Sequence, residues 1–557
     1  MFRKTTAYRL GLLIAMGATA VQAQPTPRIP NGGNILQQLT PRPGLAQRQD
    51  RTPEVETRPA MKLSADVTFE LRHIRITGAT VYSSDRLHAL VAGREGQTVS
   101  LADLSEITAQ ITRFYRNHGY LLTRAYVPEQ DIAHGTVDIA VLEGELDKVK
   151  IRKSTAIGGQ ALAPLNGIPV DTPLNSQPLN RALLLAADVP GIVVQSTLTP
   201  GARVGTSDLV VDVAPGSPGW ASVSVNNYGS RYVGTTRANA TATLNSPAGI
   251  GDQFILSLLA SDQGLYYVQT DYSVPLSHLG LRVGAQFSHL YYQLGDQYDV
   301  LDASGTADVA SAYLTAPIVR SRRVNLSARF QYDHQLFRDR IGVFDLDTRK
   351  TFNSGAAGLN LDVKDQLGAA GLNAVYAKVE HGHLSLDKLS NAQDAVTAQT
   401  AGGYTVMSYG ALRLQRLTNR TSLYVSYRGQ YAFDNLDSAK QMSLGGPAGV
   451  RAYAQGDVSA DQADQVTVEG RYRLPLPVPG QWQGQAFYDY GYARLVHEPY
   501  APGDNHVDIG GAGVGLSVRL PHRVSVISSL AWRTNGSAEL SADPKVPRVW
   551  ASASYRF

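Results

Sequence analysis

The sequence predicts a transmembrane β-barrel of about 16 antiparallel strands preceded by two small α+β domains. Three observations carry this prediction: an N-terminal export signal, no later apolar run long enough for a membrane-spanning helix, and period-two alternation of apolar and polar residues over 219–557. The 557 residues exceed the roughly 100 to 200 of one typical domain, so several domains are expected.

Composition excludes several classes of protein. Cysteine is absent, which removes disulfide frameworks, thiolate metal sites and cysteine nucleophiles. The 51 basic and 47 acidic residues leave a net charge of +4, too small over this length to indicate a nucleic-acid partner.

The N-terminus reads as a signal peptide over residues 1–23. It has a basic start, a short apolar run at 10–18 and a small-residue cleavage pattern at 21–23. Residues 24–66 are rich in Pro, Gln and Arg and predict a linker of low order, with one short helix at 34–39. The helix is little more than one turn, so the sequence leaves open whether it plugs a barrel.

Residues 67–145 have the pattern of a small α+β domain. A strand is predicted at 69–77, and a helix is predicted to follow from Ser100, where Ser100 and Asp103 give a capping-box-like start. Two further strands are predicted at 120–127 and 136–142.

A weaker repeat of the same pattern occupies residues 146–215. Its predicted helix spans 178–187, with a proline near the first turn. Its predicted strands are 149–153, 192–199 and 208–213.

From residue 219 onwards, segments of about ten residues alternate in polarity. In residues 323–333 one face carries Val324, Leu326, Ala328, Phe330 and Tyr332, and the other carries only polar residues. At about 21 residues per strand and loop, the segment accommodates about sixteen spanning strands. A soluble β-sandwich also alternates and is the competing interpretation.

The chain resembles the two-partner secretion TpsB transporters, the ShlB/FhaC/HecB family of haemolysin and adhesin secretion/activation proteins, which carry two polypeptide-transport-associated (POTRA) domains. The resemblance lies in stretches 76–78, 115–120, 127–132 and 141–144 of the first domain, 188–191 and 198–201 of the second, and 225–231 at the start of the barrel. The POTRA motif residues it implies are Gly119, Tyr120, Pro128, Gln130, Asp131, Glu143 and Gly144.

The most specific motif lies in the long gap over about 434–465, between predicted strands eleven and twelve. Val450, Arg451, Ala452 and Tyr453 are similar to the family's VRGY/F motif in its sixth outer loop, with Ala452 where the family usually has glycine. Phe487, Asp489 and Gly491 match its FxDxG wall motif. The resemblance implies that the loop folds into the pore and that Arg451 contacts Asp489. Any large porin can also hold a loop by such an ion pair.

The resemblance implies an outer-membrane transporter of a Gram-negative bacterium, with its POTRA domains in the periplasm. It would recognise a large TpsA-like exoprotein there and secrete it unfolded, without nucleotide. Tyr555 and Phe557 resemble the signal read by the barrel-assembly machinery, and outer-membrane lipids complete the expected partners. An assembly factor for outer-membrane proteins is the alternative, and a small-solute porin is a third.

No enzymatic activity, cofactor or metal is expected. His381 and His383 share a strand face and could bind a metal, but a solvated strand is the preferred interpretation. Asp333 and His334 could form an enzymatic pair at the barrel rim, which is the less favoured alternative. The glycines over 510–515 fit a barrel strand better than a phosphate loop, because no strand–turn–helix pattern surrounds them.

Overall fold

The computed structural model describes residues 29–39, 54–55, 68–132, 134–536 and 546–557. The predicted signal peptide at 1–23 lies outside the described residues. An N-terminal helix precedes two small α+β modules and a closed β-barrel. None of the described helices is long and apolar enough to span a membrane.

Two short elements lie in the predicted linker. Helix α1 (Gly32–Leu39) begins two residues before the predicted helix. Its Asn34 amide donates to the Asn31 side chain at 3.2 Å. Strand β1 (Glu54–Val55) pairs in parallel with the second module, opposite Thr197 and Leu198, so this part of the predicted low-order linker forms a strand.

The first module, residues 68–144, has two small sheets and two helices. Its elements are β2 (Thr68–Leu71), β3 (His73–Thr77), α2 (Ser84–Val91), β4 (Gln97–Ser100), α3 (Leu101–Asn117), β5 (Arg124–Tyr126) and β6 (Thr136–Leu142). β2 pairs with β4, and the other sheet has the order β3-β6-β5. Buried side chains of α2 and α3, such as Leu87 and Ile107, pack with those of β3 and β6 in one core.

Local hydrogen bonds explain where the first module agrees with the sequence and where it differs. The capping box of α3 is present, because Ser100 and Asp103 each bond the other's backbone amide. The single strand predicted at 69–77 is wrong: the amides of Arg72 and His73 both donate to Gly135, which separates β2 from β3. Helix α2 lies where no element was predicted, and its N-terminus is capped by the Ser83 side chain.

The second module, residues 145–215, packs one α-helix against a sheet of three strands, to which β1 adds a fourth. Its elements are β7 (Glu145–Lys153), α4 (Ser176–Ala187), β8 (Ile192–Pro200) and β9 (Thr206–Pro215). The sheet has the order β1-β8-β9-β7, with β7 parallel to β9. Buried leucines of α4, including Leu179 and Leu183, pack on the sheet.

Sixteen antiparallel strands close into a barrel, which confirms the predicted fold class and excludes the sandwich. In chain order the barrel strands and the two short strands of its longest inner loop, β21 and β22, are β10 (Gly219–Asn226), β11 (Arg237–Asn245), β12 (Gln253–Ser261), β13 (Tyr266–Pro275), β14 (Arg282–Gln293), β15 (Ala303–Arg320), β16 (Val324–Ile341), β17 (Leu346–Asp365), β18 (Ala370–Leu386), β19 (Gly402–Arg416), β20 (Thr421–Ala432), β21 (Met442–Ser443), β22 (Ser459–Ala460), β23 (Gln462–Leu474), β24 (Gln481–Arg494), β25 (His506–Arg519), β26 (Val524–Asn535) and β27 (Arg548–Arg556). β10 pairs with β27, so the sheet has no free edge. An outer loop also carries α5 (Lys388–Asp394), which the sequence analysis overlooked.

Because polarity alternates along each barrel strand, apolar side chains face outward and polar side chains face the lumen. On β16, Phe330 and Tyr332 are 54% and 53% exposed on the outer wall. Ser327, Gln331 and Asp333 on the same strand line the central cavity. Because hydrocarbon surrounds the wall, the apolar face points outward, the reverse of a soluble sheet.

The second module is attached to the rim of the barrel at which β15 ends. The guanidinium of Arg320, at the end of β15, donates to both carboxylate oxygens of Asp188 at 2.7 and 2.9 Å. Arg320 also bonds Asn325 at 2.9 Å, and its side chain is fully buried. Arg181 of α4 donates to the Pro317 carbonyl at 2.7 Å. A bidentate pair is directional, so it fixes the orientation of the module as well as its position.

Arg320→Ala is expected to loosen the second module, because hydrogen bonds to a charged carboxylate contribute about 1.5–3 kcal/mol. The natural chain has no cysteine, so spin labels can be placed at Val204→Cys and Leu417→Cys, both exposed positions. We expect a broadened distance distribution between the labels. Arg203→Ala removes an exposed pair with Asp171 and should leave the distribution unchanged. A narrow distribution in Arg320→Ala would contradict the attachment.

Candidate functional site: the inner loop and its wall

The chain between β20 and β23 folds back into the barrel. It joins the eleventh and twelfth barrel strands, as predicted, and β21 and β22 pair within it. Its tip is buried: Leu444, Val450 and Tyr453 are 0% exposed and Ala452 is 1% exposed. We call residues 433–461 the inner loop.

Arg451 at the tip of the inner loop binds two carboxylates of the barrel wall. Its Nε and Nη2 donate to Asp489 at 2.7 and 2.9 Å, and its backbone amide donates to the same carboxylate at 3.2 Å. Its Nη1 donates to Glu469 at 2.8 Å. Asp489 also accepts from Thr467 at 2.9 Å, and Glu469 from Arg471 at 2.7 Å.

Two guanidinium groups therefore face two carboxylates, and the formal charges of the network cancel. Asp489 is fully buried, and Arg451 is 9% exposed. An isolated charge at this depth would carry a large desolvation cost, which bidentate pairing offsets. Glu469, Thr467 and Arg471 were not singled out in the sequence analysis. Only their inward positions in the alternation of β23 could have indicated them.

The three wall residues of the FxDxG motif act on the same loop tip because alternate residues of β24 share one face. The Phe487 ring lies beneath the Arg451 guanidinium, 3.2 Å from its central carbon to the ring centroid. Gly491 leaves space for the loop, since a side chain there would meet Leu444 and Val450 at 3.2–3.3 Å. Phe487 thus stacks on the Arg451 guanidinium, Asp489 neutralises its charge, and Gly491 leaves space for the loop.

The inner loop also touches the last three strands of the barrel. Tyr453 Oη donates to the Asn535 carbonyl of β26 at 2.6 Å. Trp550 of β27 donates from Nε1 to the Arg451 carbonyl at 2.8 Å. A Cβ atom added to Gly511 of β25 would lie 2.5 Å from that of Ala452. Gly511 therefore makes room for the loop, and the glycines over 510–515 lie on a barrel strand as the sequence indicated.

Ala452 does not strain the loop tip. Among the described residues, the non-glycine positions with positive φ do not include Ala452. The left-handed conformation in this loop is adopted instead by Gly446 and Gly456, with φ of 103° and 84°. The departure from the family's glycine is accommodated.

Two further ion pairs hold the base of the inner loop. Lys440 donates to Glu380 of β18 at 2.6 Å, and Lys350 of β17 donates to Asp437 at 2.8 Å. The loop is thus attached to the wall at its base and at its tip.

Helix α1 lies in the lumen beside this base. Ile35 is 1% exposed, within a cluster that includes Phe337. The Gly32 amide donates to Asp339 of β16 at 3.1 Å, and Gln37 donates to the Ala439 carbonyl at 2.9 Å. The helix and the inner loop together border a cavity of about 890 Å³. Polar and charged side chains contribute much of its lining, among them Gln331, Asp333, Lys378, Glu380, Lys440 and Arg451.

The POTRA motif residues occupy structural positions in the first module. Glu143 accepts hydrogen bonds from the Thr80 hydroxyl, from Tyr115 Oη at 2.5 Å and from the Val81 amide at 3.0 Å. Burial raises the pKa of the Glu143 carboxyl, but these hydrogen bonds outweigh burial and hold that pKa below its ordinary value. Gln130 bonds both backbone groups of Asp138, at 2.7 and 2.8 Å.

Gly119 and Gly144 lie at the junction of the two modules. Gly119 has φ of 94° and ends α3. Its carbonyl accepts from the Ser176 amide of α4 at 2.8 Å. The Gly144 carbonyl accepts from the Leu174 amide at 2.9 Å. Tyr120 also lies at this junction, where it forms a bridge with Asn175. Of the other two motif residues, Pro128 is half-buried and Asp131 is exposed.

The remaining candidates do not assemble a further site. Tyr555 and Phe557 are 39% and 59% exposed near the barrel seam. Their rings contact edge to face at 4.8 Å.

The histidine alternatives are not supported. Among the described residues, the groups of three possible metal ligands do not include His381 or His383. His381 instead contacts the Thr405 hydroxyl at 2.9 Å. Asp333 accepts from Gln331 in the lumen, while the neighbouring His334 contacts Asn353 at 2.7 Å. Successive strand residues point to opposite faces, so Asp333 and His334 cannot act as a pair.

Arg451→Lys is expected to release the loop tip, because an ammonium group cannot reproduce the bidentate contact. A loss of about 3 kcal/mol corresponds to faster amide hydrogen exchange over residues 444–455 by more than about 100-fold. Arg413→Lys is the control, since Arg413 pairs with Asp365 between barrel strands. Unchanged exchange in Arg451→Lys would contradict the assignment.

Comparison with known proteins is consistent with this architecture. The model of the POTRA domain, ShlB-type, matches residues 69–144. The model of the haemolysin secretion/activation protein ShlB/FhaC/HecB matches residues 205–518. The heme/hemopexin transporter protein HuxB of Haemophilus influenzae (strain 86-028NP) is 29% identical over 444 residues, 78% of each chain.

Two solved structures share the fold. CdiB from Escherichia coli has a TM-score of 0.71 at 22% identity, over 89% of this chain and 93% of that one. BamA from Haemophilus ducreyi lacking POTRA domains 1–3 has a TM-score of 0.52 at 14% identity, over 88% and 100%. Since the second family model spans more than half of the residues, the chain belongs to the ShlB/FhaC/HecB family of haemolysin secretion/activation proteins, which are outer-membrane transporters.

Proposed function

We propose that this transporter recognises one large exoprotein in the periplasm through its two modules and passes it unfolded through the barrel without nucleotide. The observation that carries the proposal is the inner loop, which lies across a polar lumen and is held by the buried pair of Arg451 and Asp489. A loop held by an ion pair can leave the lumen and return to it, whereas a strand of the barrel wall cannot.

We assign binding of the exoprotein client to exposed strand edges of the two modules. β5 is an edge of its sheet, and its Arg124 and Tyr126 side chains are exposed. An extended client segment can add to such an edge through backbone hydrogen bonds, while side-chain pockets give selectivity. The contacts of Asp188 with Arg320 would then hold the bound client near the barrel entrance.

The size of the lumen favours an unfolded client. A cavity of about 890 Å³ is in the range of small-molecule pockets and cannot contain a folded domain. Its polar lining suits a hydrated, extended chain. Helix α1 would have to move aside for a client to pass, because its residues Ile35 and Gln37 fill part of the lumen beside the inner loop.

Folding of the client outside the cell would supply the direction of transport. A folded domain is more stable than its unfolded chain by about 5–15 kcal/mol. Folding at the outer surface therefore opposes backward diffusion and replaces nucleotide hydrolysis as the source of free energy.

Insertion of the barrel itself is assigned to the barrel-assembly machinery and to the surrounding lipids. Tyr555 and Phe557, both exposed, would supply the recognition signal for that machinery. The apolar outer wall, represented by Phe330, is the surface that contacts lipid.

An assembly factor for outer-membrane proteins is the second candidate, since the BamA structure shares the fold. The match of the first module to the ShlB-type POTRA model favours secretion. The two functions differ in which compartment loses protein when the transporter is absent.

Quantitative proteomics of medium and outer membranes can separate them. We expect a clean deletion to remove one large protein from the medium. Arg451→Ala should lower its secretion at least about tenfold with normal barrel insertion, because the loop loses its anchor. Arg413→Ala, which breaks a pair outside the inner loop, is the matched control.

Secretion unchanged in Arg451→Ala would refute the role of the loop. Loss of many barrel proteins from the membrane in the deletion strain, with the large exoproteins still in the medium, would favour the assembly factor.

A further inference from the structure

We infer that the first module contains a binding site for a divalent transition metal, best matched by Zn²⁺, formed by His73, His88 and Glu95. The ligand atoms of these three residues all lie within 4.8 Å of one another. His73 Nδ1 is 3.1 Å and His88 Nε2 is 3.0 Å from Glu95 Oε1. The site is independent of the inner loop and of the transport mechanism proposed above.

Three different elements converge to form the site. His73 begins β3, His88 lies in the second half of α2, and Glu95 follows the 3-10 turn Ala92–Arg94. The residues are separated by 15 and 7 positions, too irregular for a sequence motif. The fold alone brings them together, which is why the sequence analysis considered only the close pair at positions 381 and 383.

The carboxylate is held in place by the backbone. Glu95 Oε1 accepts the Ile74 amide at 2.7 Å. This bond fixes Glu95 against the start of β3 beside His73. A carboxylate oxygen has two lone-pair sites, so Oε1 can bind a metal while it still accepts this amide. A ligand oriented by a further hydrogen bond in this way is a common feature of metal sites.

The ligand set and spacing fit Zn²⁺. Two imidazoles and one carboxylate bind zinc in many proteins, with metal–ligand distances of about 2.0–2.2 Å. Tetrahedral geometry then places neighbouring ligand atoms about 3.3 Å apart. The nitrogen–oxygen distances of 3.0 and 3.1 Å therefore need to lengthen only slightly. Each imidazole would bind as the neutral tautomer, with its proton on the other ring nitrogen.

The position is accessible to an ion from solution. The side chain of His73 is 59% exposed, that of His88 31% and that of Glu95 23%. Three protein ligands on an open surface leave the fourth position to water. A bound ion would cross-link β3 to α2 and to the turn after it, and so stabilise this end of the first module.

Isothermal titration of the metal-free, untagged full-length protein in detergent with ZnCl₂ tests the site. We expect one saturable site per chain, and His88→Ala should raise its Kd at least about tenfold. His73→Gln, at an exposed strand position, should do the same without disturbing the core, which covers the case that His88→Ala fails to fold. His118→Ala is the matched control, since His118 is an exposed histidine at the end of α3.

MgCl₂ is the second control and should show no saturable binding, because Mg²⁺ prefers oxygen ligands. Absence of saturable Zn²⁺ binding, or binding unchanged in both His73→Gln and His88→Ala, would overturn the assignment. The three residues would then form only a hydrogen-bonded cluster.

Discussion

The pairing of Arg451 with Asp489 is the interaction on which the interior of this barrel depends. A carboxylate with no exposed surface is stable only if charge and hydrogen bonds replace the lost water. Arg451 supplies both, through three donors to that one group. The pair forms only when the inner loop is folded into the lumen. The position of the loop is therefore coupled to neutralisation of the Asp489 charge on the wall.

The inner loop also connects parts of the molecule that are distant in sequence. Its base contacts α1 through Ala439, and its tip contacts the last two strands through Asn535 and Trp550. Movement of the tip would therefore break hydrogen bonds near the seam between β10 and β27. Movement of the base would remove a contact of α1. Displacement of this one loop would therefore break contacts at two places in the lumen.

Much of this architecture was readable from the sequence because its signals are local. Period-two alternation identifies the barrel strands, and the count of strands places the inner loop correctly between the eleventh and twelfth. The residues of the loop tip and of the wall were singled out only through family motifs. Once the fold is known, β24 presents Phe487 and Asp489 on one face, where they meet Arg451.

The partners that depend on distant contacts were not readable. Glu469 has no local signature that separates it from any other lumen carboxylate, although it binds Arg451 at 2.8 Å. The docking of α1 depends on contacts with Asp339 and Ala439, more than 300 residues away. The division of the first strand at Arg72 follows from a hydrogen bond to Gly135, which no local propensity indicates.

The most direct test of the account is a double-mutant cycle of secretion with Arg451→Ala, Asp489→Ala and the combined variant. If the two residues act as one anchor, each single variant and the double variant should reduce export of the client to the same extent, because either change already breaks the anchor. Losses that multiply in the double variant would show that the residues act separately, which contradicts the central claim.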